Sequence, residues 1–203
     1  MIAIVDYGMG NIASIQNMLK RVDIRDAVLT SDIKQIERAD KVILPGVGSF
    51  DTGMKNLIAS GLISVLNTKA LEHKVPVLGI CLGMQLLTKK SEEGIEPGLG
   101  WIDAETKKFS FSGEEKLKIP HMGWNYVDVK HDSPLLTSGV KRKYYFVHAY
   151  YVKCNNESDV LATCNYGNEF TCMVNHENIF GAQFHPEKSH RFGIELFENF
   201  AKI

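Results

Sequence analysis

The chain has 203 residues, 44% hydrophobic, 23% charged and 9% aromatic, and its 23 Lys and Arg nearly cancel its 24 Asp and Glu. That composition suffices for one globular domain with a sizeable core, while a net charge of -1 supplies no long-range field for a phosphate backbone or an anionic membrane surface. Nucleic-acid binding is not expected, and neither is a membrane span: the longest apolar stretch, 75–84, is broken by Pro76, Gly79 and Gly83 and falls short of the roughly 20 residues a bilayer needs.

The N-terminus lacks the basic and long apolar regions of an export signal. The cysteines, Cys81, Cys154, Cys164 and Cys172, form no Cys-x-x-Cys pair, so free thiols in a reducing cytoplasm are expected. Residues 2–5 are a continuous apolar run, followed by Asp6-Tyr7-Gly8-Met9-Gly10-Asn11 and by a helical pattern with Ile12, Ile15, Met18, Leu19 and Val22 on one face. The sequence of strand, turn and helix recurs at 42–44 with Pro45-Gly46-Val47-Gly48, and at 75–80 with Cys81-Leu82-Gly83 and a helix over 84–90. Such units predict parallel strands joined by crossovers, with the ligand-binding loops collected at the strand C-terminal edge.

From about residue 100 the pattern shifts to short alternating or aromatic runs at 126–129, 144–152, 160–164 and 179–184, which predict antiparallel strands. Ile194, Phe197 and Phe200 then place a closing helix over 193–201. No linker or repeat divides the halves, so residues 1–203 are expected to form a single α/β domain. Its central sheet should be mostly parallel, flanked by helices, with an added antiparallel section.

Gly79-Ile80-Cys81-Leu82-Gly83 has the form of a nucleophile elbow with cysteine at its centre, its glycines relieving the crowding of a sharp strand-to-helix turn. A thiolate nucleophile needs a base, and the base an orienting group. His185-Pro186-Glu187 follows a strand directly; in an extended segment i and i+2 share a side, so Glu187 would hold the His185 imidazole while Pro186 keeps the segment extended. Acyl transfer also needs oxyanion donors: the Leu82 N–H is one by construction of the elbow, and the Gly46-Val47-Gly48 loop is a candidate for the second.

These segments resemble class I glutamine amidotransferases: Gly-Ile-Cys-Leu-Gly-Met-Gln at 79–85, Pro-Gly-Val-Gly at 45–48 and Phe-His-Pro-Glu-Lys-Ser at 184–189 look like the family's three signatures. A fuller set, 6–11, 91–94, 98–100, 120–125 (Pro-His-Met-Gly-Trp-Asn) and 145–148 (Tyr-Phe-Val-His), is similar to the glutaminase subunits of imidazole glycerol phosphate synthase. The resemblance implies a flavodoxin-like core and glutamine hydrolysis without cofactor or metal. Cys81 would attack the side-chain amide, His185 would shuttle the proton and Glu187 would orient His185. It further implies glutamine contacts at Gly48, Gln85 and Glu93, with backbone at His148, Ala149 and Tyr150 receiving the α-carboxylate. Gln85, four residues after Cys81, also falls on the same helical face. The ammonia would pass to a (β/α)8-barrel cyclase subunit in a heterodimer serving histidine biosynthesis, with Asn11, Trp124 and Lys188 matching positions at that interface.

Two positions depart from the pattern: Ala149 stands where Ser or Thr is common, and Trp101 where a smaller aliphatic residue is common. In carrying Trp101 the chain resembles paralogues that feed amidotransfer onto nucleotide-linked sugars, so a glutaminase of that kind is the alternative reading. A stand-alone cysteine hydrolase on the same elbow is a further alternative. Gly8-Met9-Gly10-Asn11-Ile12-Ala13 fits a dinucleotide fingerprint, but Asp32 is a late candidate for its acidic partner. Cys154, Cys164, Cys172 and His176 lack the close pairing of structural zinc sites, and His185, Glu187 and His190 lack a helical ligand face, so no metal is expected.

Overall fold

In the computed structural model, which describes residues 1–111 and 117–203, the apolar runs become a parallel half-sheet. Strands β1 (Ile2–Val5), β2 (Ala27–Thr30), β3 (Lys41–Gly46), β4 (Val77–Cys81) and β12 (Ile179–Ala182) run parallel in the order β2-β1-β3-β4-β12. Their continuous hydrophobicity has a simple cause: helices cover both faces, so side chains pointing either way are buried.

Against one face lie α1 (Ile12–Arg21) and α6 (His190–Lys202), contributing Ile15, Leu19, Phe197 and Phe200 to one core. Against the other lie α3 (Phe50–Ala59), α4 (Ile63–Asn67) and α5 (Leu82–Leu86), whose Leu57, Leu66, Leu82 and Leu86 belong to a second. Each such fully buried side chain is worth about 1.5–3 kcal/mol. The short helix α2 (Ile33–Glu37) is capped by Asp32, whose carboxylate accepts from the Lys34 N–H at 2.8 Å. Asp32 therefore closes a helix end rather than a ribose site.

Beyond β12 the sheet continues antiparallel through β11 (Asn168–His176), β10 (Val160–Tyr166), β7 (His121–Val129) and β8 (Arg142–His148). A branch of β9 (Tyr150–Cys154), β6 (Ala104–Lys108) and β5 (Lys90–Ser91) leaves from β11.

Three sequence expectations change in detail. Segment 179–184, expected antiparallel, is antiparallel to β11 but parallel to β4, with Gly181 opposite Gly79 and Ala182 opposite Ile80. Its residues fit a buried strand in either sense, so composition alone does not fix direction. The helix expected over 84–90 stops at Leu86, where the Thr88 hydroxyl bonds back to the Gln85 carbonyl at 2.8 Å and Lys90 enters β5. The run 144–152 divides at Ala149: β8 stays with β7 while β9 pairs with β6 and β11. Trp101 is buried in the second core, its indole N–H donating to Asn67 Oδ1 at 2.8 Å.

Candidate active site

At the C-terminal end of β4 the backbone turns sharply into α5, and Cys81 sits on the turn at φ 54°, ψ -111°. Left-handed φ is costly for a side-chain-bearing residue and marks a position under structural demand. The flanking glycines make it attainable. A β-carbon on Gly79 would lie 2.8 Å from the Gly83 carbonyl, and one on Gly83 only 1.8 Å from the Leu44 carbonyl oxygen of β3. Without them α5 could not approach the sheet closely enough to present the sulfur.

His185 follows β12, the parallel neighbour of β4, which brings it beside Cys81 although about a hundred residues separate them in the chain. Its Nδ1–H donates to Glu187 Oε1 at 2.8 Å, and both side chains are almost wholly buried. The expected extended conformation holds at His185 (φ -102°, ψ 95°) but not beyond it: residues Pro186–Lys188 form a 3-10 turn. The Ser189 hydroxyl donates to the His185 carbonyl and accepts from the Tyr145 N–H, and the His185 N–H donates to the Tyr145 carbonyl at 2.9 Å, so the turn is bound to β8 at both ends. Burial depresses the imidazole pKa, but hydrogen bonding and charge from Cys81 and Glu187 outweigh it and raise the value from 6.5 to about 10. Glu187 Oε2 has no hydrogen-bond partner among the described residues, so the carboxyl group meets the ring through Oε1.

These groups open on a cleft of about 340 Å³. Val47, Gly48, Leu82, Gln85, Glu93, His148, Ala149, Tyr150 and Lys188 line it together with Cys81 and His185, and Val147 and Pro120 complete the wall. Gly46 pairs with Cys81 across β3 and β4; a β-carbon there would meet the Tyr7 hydroxyl at 2.7 Å, and that hydroxyl donates to the Pro45 carbonyl at 2.6 Å. Val47 and Gly48 (φ 112°) thus spring from a fixed post directly beside Cys81.

Glu93, unplaced by the sequence, accepts from the Phe50 N–H at 2.8 Å, while Asp51 accepts from the N–H groups of Ile95 and Glu96. This reciprocal clasp holds the 93–96 loop on the start of α3 and brings Glu93 to the cleft.

His148 donates from Nδ1 to the Tyr150 carbonyl at 2.7 Å, and its Nε2 faces His121 Nδ1 at 2.9 Å. Burial lowers the pKa of His148 to about 3 and that of His121 to about 4, so both rings stay neutral and shape the 148–150 backbone rather than act as bases. The sequence reading missed Gln183. Its fully buried amide accepts from Gln85 Nε2 at 3.0 Å and faces Cys81 Sγ with Nε2 at 3.9 Å. The available signal was a glutamine directly after an otherwise apolar strand.

Of the three residues matched to a partner interface, Trp124 and Lys188 both lie against the Tyr145 ring. Trp124 is 42% exposed and stacks on His190 at 5.4 Å, and Lys188 lies over the Tyr145 ring. Asn11 stands at the N-terminus of α1 without a side-chain capping bond, and α1 packs on the 186–188 turn. His176 pairs with Asp159 at 2.9 Å, and among the described residues no group of three or more His, Cys, Asp or Glu is placed to hold a metal ion. A second hollow, of about 400 Å³, borders Cys164 and Lys141. No histidine lines it, and burial pushes the Cys164 thiol up to about 12, so this hollow offers no activated thiol.

The family model for class I glutamine amidotransferase matches residues 3–203. Imidazole glycerol phosphate synthase subunit HisH 2 of Methanococcus maripaludis is 55% identical over 203 residues, covering 100% of this chain and 99% of that protein. The subunit HisH 2 of Pseudomonas aeruginosa is 50% identical over 205 residues, covering 100% of both. A solved glutamine amidotransferase structure superimposes with a TM-score of 0.76 at 20% identity over 100% of both chains, a likeness of fold.

Proposed function

Since the chain belongs to the class I glutamine amidotransferases, we propose that it hydrolyses L-glutamine and passes the ammonia to the cyclase subunit of imidazole glycerol phosphate synthase. The carrying observation is the buried Glu187–His185 pair beside Cys81, at the floor of a cleft sized for a small amide.

With His185 protonated, Cys81 acts as a thiolate and attacks the side-chain amide carbon of glutamine. Negative charge developing on the amide oxygen meets the Leu82 N–H and the N–H groups of the 46–48 loop. His185 gives its proton to the departing nitrogen, which leaves as ammonia, and a γ-glutamyl thioester remains on Cys81. The now neutral imidazole takes a proton from water, the hydroxide attacks the thioester, and thiolate and imidazolium are restored as the new γ-carboxyl group loses its proton to solvent and glutamate leaves. Glu187 keeps Nδ1–H engaged throughout, so Nε2 always faces the chemistry. Glu93 supplies the negative charge for the substrate ammonium, Gln85 a polar wall, and the 148–150 backbone the carboxylate contacts. Ala149 adds no hydroxyl there, which leaves the backbone to do this.

The relatives' names supply the partner; its (β/α)8-barrel form and a heterodimeric assembly are part of the same reading, with Asn11, Trp124 and Lys188 as contact residues. Residues 1–203 would then act as one glutaminase domain, with the acceptor chemistry on the other chain. Ammonia loose in neutral water is mostly protonated and non-nucleophilic, which favours a closed transfer. The four free cysteines suit a reducing cytoplasm, and no described helix is long and apolar enough to cross a membrane.

The test is glutamate release by the purified chain, alone and with the cyclase and its ribotide substrate, beside Cys81→Ala. Strong stimulation by the cyclase is expected. The variant should lose glutamine-dependent synthesis while the complex still works from ammonium salt. Activity indifferent to the cyclase would move the recipient to another synthase, a nucleotide-sugar amidotransferase first; loss of both routes in the variant would refute the division of labour.

A further inference from the structure

We infer that Gln183 is a further catalytic residue of this site: its amide N–H donates to the Cys81 sulfur and holds it as an oriented thiolate. The inference rests on the proposed function only in taking Cys81 as the nucleophile.

The argument begins at one backbone atom. The Tyr150 carbonyl can only accept, and two side chains point hydrogens at it: His148 through Nδ1 at 2.7 Å and Gln85 through Nε2 at 3.3 Å. This fixes the Gln85 amide with its nitrogen towards Tyr150. The second hydrogen on that nitrogen needs an acceptor, and Gln183 Oε1 provides it at 3.0 Å. Gln183 therefore has its oxygen towards Gln85 and its NH2 towards Cys81 Sγ at 3.9 Å. Reversing Gln183 would set hydrogen against hydrogen, and reversing Gln85 would set its oxygen against the Tyr150 carbonyl and Gln183 Oε1, so the polarity runs one way from the carbonyl to the sulfur.

Rigidity adds to direction. Gln183 is 0% exposed and its backbone N–H donates to the Cys172 carbonyl at 2.9 Å. It lies just past the end of β12 and two residues before His185, in the bend that carries the chain into the 186–188 turn. The sulfur then has a cation on one flank, His185, and a neutral donor on the other. A buried N–H with no acceptor costs more than its bond contributes, so the amide favours the charged sulfur over alternatives that turn it away. Other groups facing this point are Tyr7, whose phenol burial keeps protonated, Glu187 behind His185, and Glu93 and Lys188 on the cleft wall. None of them changes in the test.

Gln183→Glu and Gln183→Met are compared with the unaltered chain. Glu has nearly the same shape and still accepts from Gln85, but turns an oxygen to the sulfur; Met removes both polar atoms. The readout is the rate of iodoacetamide capture at Cys81, resolved by mass from the other cysteines, across neutral and alkaline pH. Capture at neutral pH should slow about tenfold in Gln183→Met and further in Gln183→Glu, the deficit narrowing as alkali supplies the thiolate. Glutamine turnover should lose kcat with KM little changed. Wild-type capture rates in Gln183→Glu, or an equal pH-independent slowing in both variants, would overturn the inference. If Gln183→Met does not fold, the isosteric variant decides alone. Absence of glutamine hydrolysis by the unaltered chain would refute the glutaminase reading and leave the capture comparison standing.

Discussion

Replacing Gly83 by alanine tests the elbow through packing alone. A β-carbon there would stand 1.8 Å from the Leu44 carbonyl oxygen, 2.8 Å from its carbon and 3.4 Å from the Pro45 carbonyl carbon. Ordinary carbon-to-oxygen contact needs about 3.3 Å, so α5 and β3 must part by roughly 1.5 Å. Every obstacle is backbone of a central strand, and none can rotate aside. Overpacking of this kind costs about 3 kcal/mol or more, which for a chain of this size lowers the thermal midpoint by about 6–12 °C. The same shift displaces Cys81 and the 46–48 loop, so glutamate release should fall at least a hundredfold, about the loss of one oxyanion donor. Gly100→Ala is the comparison: its φ is 66° but nothing lies within 4 Å, so it carries only left-handed backbone strain, about 1–2 kcal/mol. Urea unfolding and glutamate release on both variants provide the measurement. A Gly83→Ala chain that loses less than about 1 kcal/mol and keeps full activity would show that the close approach is not what shapes the elbow.

The pH dependence of stability carries a second expectation. Burial opposes protonation of His185, but Cys81 and Glu187 raise its pKa from 6.5 to about 10, so the folded state binds this proton more tightly than the unfolded one. The resulting stabilisation is complete below about 6.5 and fades as pH rises through about 10. The difference in thermal midpoint between the unaltered chain and Glu187→Gln should shrink across that window; a constant difference would contradict the assignment. Trp124→Ala removes an indole 42% exposed and stacked on His190. Affinity for the cyclase, measured by titration, should drop about tenfold or more with little change in thermal midpoint. Equal affinity would remove Trp124 from the interface.

The parts of the site legible in the sequence were those whose chemistry is local. Gly79 and Gly83 bracket Cys81 because a tight turn needs them at that spacing, and Glu187 follows His185 closely enough for the pairing to be read directly. Glu93 was not legible from the residues themselves, since its place depends on a clasp between the 93–96 loop and α3, elements some forty residues apart. Gln183 was hidden for a related reason. A buried amide is meaningful only through what it meets, and its partners Gln85 and Cys81 lie on another element. In the fold, the parallel units followed from repeated apolar strands with glycine-rich turns, whereas the direction of β12 did not. Its continuous apolar run suits either neighbour, and only the crossover decides.

That placement of β12 also sets a timetable for biosynthesis. The strand closing the parallel half-sheet beside β4 is the last one made, and the chain between Cys81 and His185 takes about 5–20 s to emerge at ribosomal speeds of about 5–20 residues per second. Through that interval a nascent chain carries the nucleophile without its base, so it is chemically silent. It also presents Val77, Leu78 and Ile80 along an unpaired edge, the kind of surface on which chains associate wrongly. Ribosome stalling or truncation before residue 179 should therefore yield aggregation rather than stray hydrolysis.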